Sequence, residues 1–141
     1  MAVENDPVEL AARALSHRDR TRDELDRRLA KAGVGDDERA EALDRLERIG
    51  YVDDGRVALS RAESMAGRGY GDEAIRADLA SRGLGQEEAE QAIAALSPEA
   101  ERAGEIAERE GYGLKTAARL ARKGFAEESL EAIIAGDRIL P

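Results

Sequence analysis

Leu25-Asp26-Arg27-Arg28-Leu29-Ala30-Lys31-Ala32-Gly33-Val34 and Ile75-Arg76-Ala77-Asp78-Leu79-Ala80-Ser81-Arg82-Gly83-Leu84 are written to one plan. Each has two large aliphatic side chains four residues apart, a glycine four residues on, and a large apolar residue directly behind it. A spacing of four places the aliphatic pair on one face of a helix, whereas a strand would alternate every second residue. Glycine then turns the chain out of the helix through left-handed backbone, and the next side chain folds back over the last turn. The two stretches are separated by a constant 50 residues. At the same offset Leu43 and Leu46 match Ile93 and Leu96, and at an offset of 41 Leu120, Gly124 and Phe125 match Leu79, Gly83 and Leu84. In the third copy Thr116 stands where Ile75 stood. A recurring period of this length is the mark of a repeat architecture.

Working outward, the helix starts are equally legible. Asp6-Pro7-Val8-Glu9 and Thr21-Arg22-Asp23-Glu24 supply an N-cap acceptor with a glutamate three residues later, as a capping box requires. A third helix is expected from Asp36 to Ile49, with Leu43, Leu46 and Ile49 on one stripe and Gly50 as its stop. Asp53-Asp54 opens a helix carrying Val57, Ala58, Ala62 and Met65. Gly71-Asp72 opens the next, and Gln86 to Leu96 forms another. Ser97-Pro98, Lys115 and Glu127 begin the last three, the final one closing at Gly136. The pattern predicts an all-α chain of three tandem three-helix units, residues 6–53, 54–97 and 98–141, forming an elongated, curved helical rod. Apolar content is carried by Ala and Leu, and aromatics make up only 3%, so the cores are expected to be shallow. Units of this size fold poorly alone, and neighbours are expected to share helix faces as solenoid units do.

Composition narrows the function. There is no cysteine, which fits a reducing compartment. No apolar run approaches a bilayer span, and Met1 to Leu10 lacks the pattern of a secretion signal. A cytoplasmic protein is expected. The formal net charge of −9 argues against tight autonomous DNA binding, because phosphate contacts demand a basic footprint.

Sites of chemistry are not expected. His17 is the sole histidine, with no partners at ligand spacing, and it reads as an exposed helix-end residue. The pairs Asp36-Asp37, Asp53-Asp54 and Glu87-Glu88 fall at helix N-termini, where the macrodipole favours negative charge. Gly67, Gly69, Gly71 and Gly111-Tyr112-Gly113 lack the strand context of phosphate or dinucleotide loops and read as turns between helices. Ser16, Ser60 and Ser64 have no base beside them. The chain is therefore expected to be no enzyme, with no catalytic, metal or cofactor-binding residue and no small-molecule substrate.

Charge distribution is more informative. Arg13 to Lys31 holds seven basic and four acidic residues, a net of +3. Lys115, Arg119, Arg122 and Lys123 form a second basic cluster, the first three of them on one helical face. Gln86 to Glu110 carries eight glutamates and two arginines. The two basic clusters, both on the second helix of a unit, are the candidate contact surface: Arg18, Arg20, Arg22, Arg27, Arg28 and Lys31, with Lys115, Arg119, Arg122 and Lys123.

The segment Arg20-Thr21-Arg22-Asp23-Glu24-Leu25, followed by Leu29 and Gly33, resembles the opening unit of the RecX family of recombination regulators. Gly50-Tyr51-Val52-Asp53-Asp54-Gly55-Arg56-Val57-Ala58 is similar to that family's most recognisable junction. Gly71, Ile75, Leu79, Gly83 and Leu84 resemble its second unit, and Leu120, Arg122, Lys123, Gly124 and Phe125 its third. The resemblance runs from Val8 to Gly136. It implies a monomeric modulator, tied to DNA repair, recombination and the SOS response, that lodges in the groove of a RecA recombinase filament. There it would restrain filament growth, ATP turnover and strand exchange, with a weak contact to single-stranded DNA. The alternatives are a helix-turn-helix DNA binder built on Thr21–Ala32 and Asp36–Ile49, and a generic helical adaptor.

Overall fold

The computed structural model describes residues 6–17 and 19–139, without the side chains of 16, 17 and 137–139. Arg18 and the side chain of His17 therefore lie outside the described residues. Regular structure among the described residues is all helix: α1 (Pro7–His17), α2 (Arg22–Lys31), α3 (Asp36–Arg48), α4 (Asp54–Gly67), α5 (Asp72–Ser81), α6 (Gln86–Ala94), α7 (Glu99–Glu110), α8 (Leu114–Arg122) and α9 (Glu127–Ile139). None of them is long and apolar enough to cross a membrane.

The helices pack in three sets of three, α1–α3, α4–α6 and α7–α9. Each set closes over its own core. Leu25, Leu29, Leu43 and Leu46 are among the large buried side chains of the first, Ile75, Leu79 and Leu84 of the second, and Leu120, Phe125, Leu130 and Ile133 of the third. Fully burying one such aliphatic contributes about 1.5–3 kcal/mol. Ala58 and Ala62 on α4, and Ala103 and Ala107 on α7, are buried as well, so these helices approach their partners closely with little side-chain bulk.

The glycine-plus-apolar endings form as the sequence predicts. Gly33, Gly83 and Gly124 have φ of 91°, 81° and 96°. The amides of Val34, Leu84 and Phe125 donate to the carbonyls of Leu29, Leu79 and Leu120, and all three side chains are buried. Thr21 forms its capping box with Glu24.

Three expectations need correction. Ile49 is 56% exposed rather than part of the α3 stripe: Gly50 turns the chain there, and Val52, at 3% exposure, fills the core in its place. Gly136 does not stop α9, which runs to Ile139. A Cβ at Gly136 would come within 2.7 Å of the Tyr112 ring, so this glycine admits an aromatic side chain instead. Finally, the sets do not share helix faces. No core cluster among the described residues mixes side chains of two sets, and the sets meet through helix ends.

Those meetings follow one design twice. At the first, the Thr21 hydroxyl before α2 donates to the Arg82 carbonyl at the end of α5 over 2.8 Å. At the second, the amides of Gly71 and Glu73 at the start of α5 donate to the carbonyls of Lys123 and Gly124 at the end of α8, over 2.9 and 3.2 Å. Each joint is latched by an acid from the first turn of the next set's leading helix. Asp54 accepts the Arg22 amide at 2.8 Å, and Glu99 accepts the Asp72 amide at 2.6 Å. The middle helices α8, α5 and α2 thus succeed one another end to start. The negative end of one peptide dipole meets the positive end of the next.

Candidate partner interface

The two basic clusters occupy the outer members of this end-to-start series, α2 and α8, with α5 between them. Packing divides them. In α2, Arg22 reaches Asp44 at 2.8 Å and also pairs with Glu47 on α3. Arg20 donates to the Ala14 carbonyl at 3.3 Å. Arg27 pairs with Asp23 one turn earlier at 2.6 Å, and its side chain is 67% exposed. Arg28 and Lys31 are exposed and form no ion pair among the described residues. In α8, Arg119 pairs with Glu110 at the end of α7. Lys123 donates to the Arg68 carbonyl at 2.8 Å and lies 4.2 Å from the centre of the Tyr70 ring. Lys115 and Arg122 are exposed, again with no ion pair among the described residues.

Arg20, Arg22, Arg119 and Lys123 therefore hold the molecule together, whereas Arg27, Arg28, Lys31, Lys115 and Arg122 are presented outward. The distinction follows from neighbours on other helices. Arg22 is ion-paired because α3 brings two acids across to it, and nothing in the spacing of α2 announces that.

Behind the second joint sits Arg102, 8% exposed. Its guanidinium reaches Asp72 at 2.7 Å and the Ser97 carbonyl at 2.8 Å, and lies 5.9 Å from the Phe125 ring centre. It ties α5, the α6–α7 turn and the third core into one knot. The latching acids of the two joints respond differently to their surroundings. Burial pushes Asp54 up from the usual carboxylate value, outweighing the Arg22 amide, with Glu47 adding to the rise. Burial acts on Glu99 in the same direction, but the Ser129 hydroxyl, the amides of Asp72 and Ala126, and Arg102 hold it lower than usual.

Sequence reasoning passes over Arg68, Tyr70, Arg102 and Arg109. Arg102 and Arg109 fall in the stretch read as acidic, and Arg68 sits among glycines read as turns. No one-dimensional signal connects them, since they come from the end of α4 and from α7. No group of acids and histidines among the described residues is arranged to hold a metal ion.

Comparison with known proteins bears on this arrangement. Residues 9–46 match the family model described as the first three-helix domain of RecX, and residues 53–93 the second. The regulatory protein RecX of Xanthomonas axonopodis pv. citri (strain 306) is 36% identical over 140 residues, covering 92% of this chain and 86% of that protein. That of Mycolicibacterium vanbaalenii is 40% identical over 94 residues, covering 66% of this chain and 51% of that protein. The crystal structure of RecX from Lactobacillus salivarius superposes with a TM-score of 0.83 over 99% of this chain and 100% of that one, at 22% identity. That last likeness shows a shared fold.

Proposed function

The chain belongs to the RecX family of regulatory proteins, and from that premise we propose that it binds the RecA recombinase filament on single-stranded DNA and lowers its activity. On this reading it works in the cytoplasm as a monomer, regulating homologous recombination and DNA repair within the SOS response. Its relatives are named as regulatory proteins rather than enzymes. The observation that carries the reading is the end-to-start series α8–α5–α2. Three small cores joined through helix ends make an extended body, a form suited to touching successive repeats of a polymer. The outward residues Arg27, Arg28 and Lys31 at one end, and Lys115 and Arg122 at the other, are the proposed filament contacts.

The helix-turn-helix alternative finds little support. Recognition helices read base edges with their N-terminal residues, and α3 opens with Asp36, Asp37 and Glu38. Three acids there would repel phosphate.

A recombinase ATPase assay on single-stranded DNA, with this protein titrated in, tests the proposal. The expected result is a concentration-dependent fall in turnover. Unchanged turnover at saturating protein would reject it.

A further inference from the structure

A groove of about 470 Å³ runs between the last two helices of the third set, walled by Leu114, Ala117 and Ala121 of α8, Phe125 of the connecting turn, and Leu130 and Ile134 of α9. Leu114, at the start of α8, is 68% exposed. The corresponding grooves of the other two sets are bridged by ion pairs. Asp26 of α2 reaches Arg39 of α3 at 2.9 Å, and Arg76 of α5 reaches Glu90 of α6 at 2.6 Å. In the repeat, Ala117 stands in the place of Asp26 and Arg76, and Leu130 in the place of Arg39. The third core still closes, so these replacements strip the bridge and leave an apolar wall open. The rim of the groove carries both signs. Lys115 and Arg122 flank Ala118, which also lines it, three residues before and four after. Glu127 and Glu131 lie one turn apart on α9. All four are exposed, and none forms an ion pair among the described residues.

We infer that this groove seats the same groove of a second copy of the chain, the two related by a two-fold axis. In such a contact residue i of one copy meets residue j of the other, and j meets i. The projecting Leu114 of each copy then fills the recess beside Ala117 and Ala121 of its partner. The basic α8 rim of each faces the acidic α9 rim of the other. Exposed apolar surface framed by polar residues is the mark of an interaction site, and here the complement is already written on the chain: a projecting aliphatic, a recess for it, and rims of opposite sign. Apolar burial would supply the affinity, while the rim charges, being exposed, would mainly set the register. The first and second sets offer no such seat between their second and third helices, so the contact joins third set to third set and closes at two copies. Pairing goes beyond the function proposed above and does not depend on recombinase contact. It covers Lys115 and Arg122, so the paired form would withhold one end of the proposed filament surface and the monomer would present it.

Sedimentation velocity of the full chain, without recombinase or DNA, is followed from micromolar to millimolar protein for the parent, Leu114→Glu and Ile49→Glu. Ile49, 56% exposed, is an apolar side chain of the first set outside the groove. The parent should pass from monomer to dimer as concentration rises and go no further. A two-fold contact carries each substitution twice. A carboxylate in the apolar seat should therefore raise the dissociation constant roughly a hundredfold, about tenfold for each copy. Ile49→Glu should follow the parent. A parent that stays monomeric throughout overturns the inference, and so does equal loss in both variants. A ladder of species beyond the dimer also overturns it, since the contact would then run head to tail. Leu114 belongs to none of the three cores, and thermal melts of the dilute variants identify any whose fold is at fault. A second measurement leaves the apolar seat untouched. Lys115→Glu/Arg122→Glu and Glu127→Lys/Glu131→Lys should each pair weakly alone, because like charges then face one another across the axis. Mixed together, the two variants should pair with each other as the parent does with itself. A mixture no more associated than its components overturns the inference.

Discussion

The Gly71 amide at the start of α5 donates to the Lys123 carbonyl at the end of α8 over 2.9 Å, so two helices from different sets continue one another through backbone alone. Backbones come this near because position 71 has no side chain: a Cβ there would overlap the Gly124 carbonyl and the Phe125 amide. The equivalent place at the first joint is Thr21, whose hydroxyl spans the gap that glycine closes at the second. Gly71→Ala should therefore cost about 1–3 kcal/mol and open the second joint. Thermal melts together with small-angle scattering would show a lower Tm and a longer particle. A variant with parental Tm and dimensions would mean the joint is not tight.

Phe125 closes the third core at 5% exposure, and Phe125→Ala should destabilise by roughly 3–5 kcal/mol. Hydrogen exchange should place that loss first in α7–α9. Exchange rates rising uniformly from α1 onward would show instead that the three cores unfold as one.

Arg102 is a buried cation ion-paired to Asp72. Arg102→Ala should cost about 3 kcal/mol, chiefly from leaving its partners unpaired. The double variant Arg102→Ala/Asp72→Ala should cost little more than the single. Additive losses in chemical denaturation would mean the two side chains act independently.

The latching acids predict opposite pH responses. Asp54 has a raised value in the fold, so its charge opposes folding at neutral pH, and that opposition fades as pH falls through the raised value. Asp54→Asn keeps an acceptor for the Arg22 amide and should match or exceed the parent Tm at pH 7. Glu99 lies below the ordinary 4.5 in the fold. Its contribution is complete above about pH 4.5 and disappears as pH falls through the lowered value. Glu99→Gln should lower Tm at pH 7, with the gap to the parent closing in strong acid. Parallel pH profiles for the two variants would contradict the distinction.

Reversing the outward charges of Arg27, Arg28 and Lys31, or of Lys115 and Arg122, to glutamate should weaken filament binding and reduce its salt dependence. Co-sedimentation with recombinase filaments at two salt concentrations measures both. Binding unchanged in both sets would remove these residues from the interface.

Much of the fold is legible in one dimension because it is local. Capping boxes, acidic first turns and glycine-plus-apolar endings involve residues within one helical turn of each other, so Thr21–Glu24 or Gly83–Leu84 can be read directly. Ile49 and Gly136 escape such a reading for the same reason that the others yield to it. Their roles depend on Val52 beyond the turn and on Tyr112 from another part of the chain.

The sequence alone determined an all-helical chain of recurring helix triplets, since periodicity and chain punctuation specify each helix without reference to its neighbours. Tertiary structure alone decided how the triplets are joined, which cations are spent on internal contacts, and which remain outward. Those outcomes rest on contacts such as Gly71–Lys123, Asp72–Glu99 and Arg22–Glu47. They exist only once separate helices are brought together, and the energies deciding them are those of neighbours in space.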